Sequence, residues 1–227
     1  MNPKLRIVRI GHPARLLESV QQFCLDALVA NSPDYGSSTH QMKRDMQKLQ
    51  QKLTKAKTKS EKYEIFSEFR AIRKDLKAIE SAHINQVLQN ADVVCSTLTS
   101  ASDKTLRGFI HHKLPESLFD VLVIDECAQA IEPACWIGIQ FAKRLILAGD
   151  HKQLDATVKS DEAAREGLSL SLFERVMNFN TAVTFQTMLV EQYRMNHLIM
   201  EWSSQQMYQN KLVAHESVSE RTISDLI

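Results

Sequence analysis

The chain has 227 residues, enough for one large domain or one and a half ordinary ones. Its 44% hydrophobic and 24% charged residues support a packed core and exclude a disordered chain, and a formal net charge of +1 points to no partner, so local charge has to carry that information. No apolar run reaches membrane-spanning length and Met1-Asn2-Pro3-Lys4-Leu5 lacks a signal-peptide core, so no membrane partner is expected and the expected location is the nucleus and/or cytoplasm. Cys24, Cys95, Cys127 and Cys135 form no C-x-x-C pair and sit among apolar or small residues, which reads as reduced, buried thiols of an intracellular protein.

Leu5 to Ile10 alternates apolar and basic residues and predicts a strand, broken by Gly11-His12-Pro13. Leu16, Val20, Phe23 and Ala27 have helical spacing and predict a helix to Val29, followed by a loop over Asn31 to Ser38. From Gln41 to Glu80 there is no Gly or Pro. Met42, Met46, Leu49 and Leu53 form one stripe, and Phe66, Phe69, Ile72, Leu76 and Ile79 another. This predicts two long helices in an antiparallel hairpin turned near Thr58-Lys59-Ser60. Twelve lysines and arginines stand against six acids there. Such a hairpin is either a solvated, coiled-coil-like insertion or a basic arm touching a nucleic-acid backbone. Three short apolar runs follow: Val93-Val94-Cys95, Asp120 to Ile124 and Arg144 to Leu147, with a helix-like segment over Glu132 to Phe141. Apolar strands alternating with helices predict an α/β fold, a parallel sheet covered on both faces, whose chemistry follows the carboxyl ends of the strands.

Three such places carry candidate residues. Asp125-Glu126 follows Val121-Leu122-Val123-Ile124 directly. Two carboxylates at the end of a wholly buried strand are costly unless a hydrated magnesium ion uses one of them, leaving the other to orient or deprotonate a water. The structural alternative is a helix-capping acid pair. Ala148-Gly149-Asp150-His151-Lys152-Gln153-Leu154 follows the next strand. Gly149 permits a sharp exit, and Gln153 supplies an amide that can donate to a phosphate only while that phosphate is present. The alternative there is an ordinary polar loop. In Glu191-Gln192-Tyr193-Arg194-Met195, an aromatic beside an arginine suits base stacking next to a phosphate contact, or is plain surface.

Taken in order and spacing, Val-Ile-Asp-Glu-Cys-Ala-Gln, Gly-Asp-His-Lys-Gln-Leu and Gln-Tyr-Arg-Met resemble motifs II, III and IV of superfamily 1 helicases. The similarity is greatest to the Upf-like group and, within it, to the immunoglobulin mu-binding protein helicases. Arg9 to Ser19, Leu114-Pro115-Glu116-Ser117, Cys135-Trp136-Ile137 and Gly167 to Leu172 also resemble that family. The resemblance implies ATP as substrate, Mg2+ as cofactor and single-stranded DNA or RNA as partner, with translocation from five-prime to three-prime. It implies that Asp125 holds magnesium, Glu126 activates the attacking water and Gln153 senses the terminal phosphate. It also implies that Tyr193 stacks on adenine and that Arg194 reaches the terminal phosphate as an arginine finger. Thr97, Thr99 and Ser100 fall in a stretch that resembles the family's segment touching the single-stranded backbone. The implied fold is an incomplete RecA-like parallel sheet with a long helical-hairpin insertion. Residues 1–37 and 91–187 belong to the first RecA-like domain, 38–90 are the insertion, and 188–227 start the second.

Two departures accompany the resemblance. None of Gly11, Gly36, Gly108, Gly138, Gly149 and Gly167 begins a Gly-Lys-Ser/Thr, so the P-loop is absent from these residues. In the family it precedes the strand at Leu5, and motifs V and VI follow the region of Arg194. The family usually continues Gln-Leu with Pro-Pro-Thr, whereas Asp155-Ala156-Thr157 follows Leu154 here. The leading expectation is thus a portion of an ATP-dependent helicase; the alternatives are a non-catalytic nucleic-acid-binding remnant and a truncated gene model. The 227-residue chain alone is expected to hydrolyse ATP no faster than buffer, because positioning and charge stabilisation dominate phosphoryl transfer. Nucleic-acid-stimulated turnover by the purified chain would overturn this.

Overall fold

The computed structural model describes residues 5–11, 17–104, 106, 108, 119–179 and 185–226. Expectations resting on His12 to Leu16 and on Leu114-Pro115-Glu116-Ser117 lie outside them. The described residues mix helices with strands, and the strands form three two-stranded parallel sheets. By contact the chain divides into two compact units, Met1–Val123 with Pro133–Ile146, and Ile124–Glu132 with Leu147–Ile227.

In the first unit, β1 (Ile7–Arg9) pairs in parallel with β2 (Val93–Cys95), Val8 opposite Val94. The Arg6 guanidinium grips Asp92 at 2.8 Å and holds its carboxyl down to about 2, a charge-assisted clasp at the mouth of the pair. Val8, Ile10, Leu25, Val29, Leu88, Ala101 and Leu106 form the core. The helix expected from Leu16 to Val29 is instead two helices, α1 (Glu18–Gln21) and α2 (Leu25–Ala30). Between them the chain runs alongside β1, where the Arg9 amide donates to the Phe23 carbonyl at 2.7 Å. A strand amide on the half-buried Arg9 needs an acceptor, and the helix yields to supply one.

The loop expected over Asn31 to Ser38 is also corrected. Helix α3 (Pro33–Lys55) begins there, because Pro33 occupies the first turn, where its missing N–H is harmless. Helix α4 (Lys59–Gln89) runs back as the hairpin predicts, starting from a capping box. Thr58 Oγ1 accepts from the Glu61 amide at 3.2 Å, while the Glu61 carboxylate accepts from the Lys57 and Thr58 amides. Leu49 is buried and Met42, Met46, Leu53, Phe69, Ile72, Leu76 and Ile79 are half-buried, so the two stripes meet; Phe66 stays exposed. All twelve lysines and arginines of residues 41–80 are exposed.

Strand β3 (Phe119–Ile124) pairs with β4 (Ala142–Leu147). The Phe119 amide donates to Phe141 at one end and the Ala148 amide to Ile124 at the other, so the strands run parallel. Helix α5 (Glu132–Ile139) covers one face, with Gly138 against Leu122. Val121 and Val123 on the opposite face stay exposed, as do Leu145 and Ile146. Cover on both faces is therefore not realised among the described residues, because each sheet has only two strands. Cys95 corrects another expectation: Cys24, Cys127 and Cys135 are buried, but Cys95 is exposed. Strand side chains alternate, and Val94 takes the core-facing place.

In the second unit, α6 (Asp161–Ala163) leads through a π-turn into α7 (Leu172–Met177). A small β–α–β element follows: β5 (Glu191–Gln192), α8 (His197–Met207) and β6 (Val213–Ala214), the strands parallel, then the short α9 (Glu216–Ser219).

Thr58→Ala should cost the hairpin about 1 kcal/mol by removing the N-cap acceptor. Helical circular dichroism followed through urea unfolding checks this; an unchanged midpoint would show that the capping box contributes nothing.

Candidate functional site

Ile124 is 4% exposed and ends β3 as its one buried residue. Asp125 and Glu126, directly after it, are exposed, so burial does not force a cation onto this pair as the sequence argument supposed. Backbone geometry marks the place instead. Glu126 has φ 53 and ψ 36, the left-handed region that a non-glycine residue adopts only where its surroundings over-determine it. Asp125 Oδ1 accepts from the Glu126 amide at 3.1 Å, and Glu126 Oε2 accepts from Gln129 Nε2 at 3.1 Å.

The chain after Glu126 is fixed from two directions. The Cys127 amide donates to the Ala148 carbonyl at 2.9 Å. A Cβ on Gly149 would lie 3.0 Å from the Ala128 nitrogen and 3.0 Å from Cys127 Sγ. Gly149 thus serves as a point of closest approach, where backbone sits on backbone. From the other direction, Arg175 Nε on α7 donates to Glu132 at 2.7 Å, and Ser171 bridges Ile131. Ser171, buried, also caps α7 by accepting from the Glu174 amide.

Beyond Gly149, Asp150 collects donors. Tyr208 gives its hydroxyl proton to Oδ2 at 2.6 Å, Gln153 Nε2 donates to the same oxygen at 2.7 Å, and the Lys152 amide donates to Oδ1 at 2.9 Å. Partial burial opposes ionisation of Asp150. The bonds from Tyr208, Lys152 and Gln153, with His151 nearby, outweigh it and set the carboxyl below its ordinary range. Burial, and then the bond to Asp150, push Tyr208 up to about 12. Leu154 is 73% exposed; of the two residues that stand where the resembled family usually has prolines, Asp155 is exposed and Ala156 is buried.

Tyr193 and Arg194 follow β5, and His215 follows β6, so the parallel pair delivers all three at carboxyl strand ends. The rings of Tyr193 and His215 stack at 4.3 Å between centroids. The Tyr193 hydroxyl donates to Glu191 at 2.8 Å, a bond that pushes its pKa upward and makes the phenol a weaker acid. Gln192 Oε1 accepts from the Arg194 and Met195 amides, each at 2.8 Å, and shapes the turn. An open hollow of about 440 Å³ is lined by Gln192, Tyr193, Arg194 and Met195. Among the described residues nothing engages the exposed Arg194 guanidinium.

Asp125, Glu126, Gln153, Tyr193 and Arg194 all fall in the second unit; Thr97, Thr99 and Ser100 fall in the first. There Thr97 Oγ1 donates to Ser100 Oγ at 2.9 Å and accepts from the Ser100 amide at 3.1 Å. Ser102 Oγ donates to the Thr99 carbonyl at 2.7 Å. Gly11, at φ 135, lies against this turn: a Cβ there would come 3.3 Å from Ser100 Oγ. Sequence reasoning missed Tyr208 and His215. His215 obeys the strand-end rule, but the two-residue β6 gives it no visible strand; Tyr208 meets Asp150 across 58 residues with no spacing signal.

Asp125 fits one demand of a hydrated magnesium ion, a carboxylate oxygen (Oδ2) without a partner among the described residues. No cluster of three or more His, Cys, Asp or Glu suited to a metal occurs among them. No helix of the described residues is long and apolar enough to cross a membrane.

Comparison with known proteins adds a second line of argument. Two family models described as AAA domain match, one over residues 1–161 and one over residues 168–226. The chain is 47% identical to DNA-binding protein SMUBP-2 of Rattus norvegicus over 98% of its own length and 22% of that protein's. It is 36% identical to DNA polymerase alpha-associated DNA helicase A of Saccharomyces cerevisiae, over 99% of this chain and 33% of the relative. To ATP-dependent helicase NAM7 of the same yeast it is 37% identical over 61% of this chain and 13% of the relative. The chain thus spans about a fifth to a third of the first two relatives.

The Asp150–Tyr208 bond has a definite pH window. Tyr208 is raised, so its contribution to stability is complete below the ordinary phenol value of 10.0 and is lost as pH rises through about 12. Asp150 is lowered, so its contribution is present above the ordinary 3.8 and is lost as pH falls through its depressed value. Tyr208→Phe should therefore be less stable than the wild type at neutral pH, with the difference closing as pH approaches 12. Urea unfolding at stepped pH checks this, and a difference that stays constant across the range would contradict it.

Proposed function

The chain belongs to the Upf-like superfamily 1 helicases, and from that premise we propose that it forms part of an ATP-driven motor that moves along single-stranded DNA or RNA. One observation carries the proposal. Two strand-end segments, Asp125-Glu126 and Gly149 to Gln153, are locked together by the Cys127 amide on the Ala148 carbonyl and by the Gly149 contact. Phosphoryl transfer asks for that pairing: a metal-holding carboxylate and a water-activating carboxylate, kept in register with a group that reports the terminal phosphate.

In this reading Asp125 holds Mg2+, usually through water, and the ion when bound neutralises charge on the phosphates. Glu126, set on a left-handed backbone directly after Asp125, accepts the proton of the attacking water. Gln153 donates to the terminal phosphate. Tyr193 offers the ring face that His215 leaves uncovered to the adenine of ATP, and Arg194 extends as the arginine finger. The Thr97, Thr99 and Ser100 hydroxyls meet the nucleic-acid backbone. The α3–α4 hairpin, with its twelve exposed basic side chains, adds affinity without sequence preference. The parallel pairs belong to RecA-like domains, the second beginning near residue 188.

Steady-state ATP hydrolysis by the full-length protein tests these roles together. Glu126→Gln should lower turnover by about 10²–10⁴ while leaving nucleotide binding intact. Arg194→Ala should lower turnover by roughly 10³–10⁵ with a smaller effect on ATP binding. Tyr193→Ala should do the reverse and raise KM more than it lowers kcat, since stacking serves ground and transition states alike. Equal, modest losses in Arg194→Ala and Tyr193→Ala would mean that the pair is packing, and near-normal turnover in Glu126→Gln would make it a structural acid.

A further inference from the structure

Gln153 is not free to choose its orientation. Its amide nitrogen donates to Asp150 Oδ2, and that oxygen is also held at 2.6 Å by the hydroxyl of Tyr208. The tyrosine is itself firmly placed. It ends α8, and the next two residues, Gln209 and Asn210, both have φ 57, a left-handed pair with no glycine. The buried Ser204 ties this turn down at three points: its carbonyl accepts from the Tyr208 and Asn210 amides, and its Oγ accepts from the Leu212 amide at 3.1 Å. Strain at a turn so over-determined keeps the phenol in one position. The start of α8 is equally defined, because Asn196 caps it immediately after Tyr193-Arg194-Met195.

We propose that Tyr208 is a positioning residue for ATP hydrolysis: through Asp150 it fixes the rotamer of Gln153, and through α8 it links that setting to the segment bearing Tyr193 and Arg194. The proposal rests on reading Gln153 as the group that donates to the terminal phosphate. The phenol hydroxyl is the device: it gives its proton to Asp150 and also meets the Gln153 side chain, and it stays neutral across the physiological range. Movement of α8 relative to the Gly149–Gln153 loop breaks the 2.6 Å bond and releases the amide. Loss of the Gln153 contact frees Asp150 to follow α8. The link therefore runs in both directions, as coupling between two sites must.

A double-mutant cycle in the full-length protein tests it, with Tyr208→Phe, Gln153→Ala and the pair. If the tyrosine acts through the glutamine, each single variant lowers kcat about tenfold or more with KM for ATP little changed, and the double variant matches Gln153→Ala. Asp150→Asn, which keeps the shape and weakens the acceptor, should reproduce Tyr208→Phe and serves in its place if that variant folds poorly. Losses that multiply in the double variant would show that Tyr208 acts by a separate, structural route and would overturn the proposal. Normal turnover in Tyr208→Phe alongside impaired Gln153→Ala would also overturn it while leaving the Gln153 reading intact. Normal turnover in Gln153→Ala would remove that reading and the proposal together.

Discussion

The register of the two strand-end segments depends on one steric fact: at Gly149 the backbone lies so close to the Cys127–Ala128 turn that a Cβ there would be crowded to 3.0 Å by the Ala128 nitrogen and Cys127 Sγ. Backbone-on-backbone contact is the stiffest way for two segments to meet, since neither has a rotamer with which to retreat. The Cys127-to-Ala148 hydrogen bond lies beside it and sets the register. Together they make the Asp125-Glu126 pair and the Asp150–Gln153 loop one body, so a displacement of one is a displacement of the other. The left-handed backbone of Glu126 is tolerated because the next residue is already pinned.

How much of this was legible in the residues depended on range. Strands β3 and β4 announce themselves as short apolar runs, and the acids and the glycine directly after them stand out because sheets place chemistry at carboxyl ends. The α3–α4 hairpin was legible from its two apolar stripes, which reflect contacts along single helices. Where the sequence misled, a distant partner or an ambiguous residue decided. Pro33 reads as a breaker, yet in the first turn of a helix it is a starter. The α1–α2 break has a nonlocal cause, the demand of the Arg9 amide for the Phe23 carbonyl. The buried-strand argument for Asp125 and Glu126 inferred burial from composition, but apolar composition is a property of a strand and burial a property of its neighbours; Val123 is 59% exposed.

The second unit shows how little regular structure a site can stand on. Strands β5 and β6 are two residues each, yet they bring Tyr193 and His215 into ring contact and launch α8 from the residue after Met195. Side-chain bonds supply the rigidity that length does not: Gln192 closes its own turn, and Asn196 both caps α8 and reaches the Arg221 carbonyl at 3.1 Å. His197 adds a bond to the Ser219 carbonyl at 2.8 Å. A site built this way keeps its groups on short levers, which suits residues that must respond to a neighbouring element.

The helical hairpin has a geometric consequence for how this protein can diverge. β1 and β2 are adjacent in space although Val8 and Val94 are far apart in the chain, and the intervening α3 and α4 run out and return. An excursion that comes back to its starting point leaves the distance between its ends independent of its length. Adding one turn to each helix therefore carries the tip about 5.4 Å further out and leaves the strand pair where it was. Arm length is thus a variable that can drift or be tuned without refolding the sheet, by insertions that arrive in matched pairs on either side of Thr58. An unmatched insertion would instead rotate one apolar stripe off the other by about 100° per residue. Viable relatives should accordingly differ in this region by balanced additions, with the cap moving outward as the arm grows.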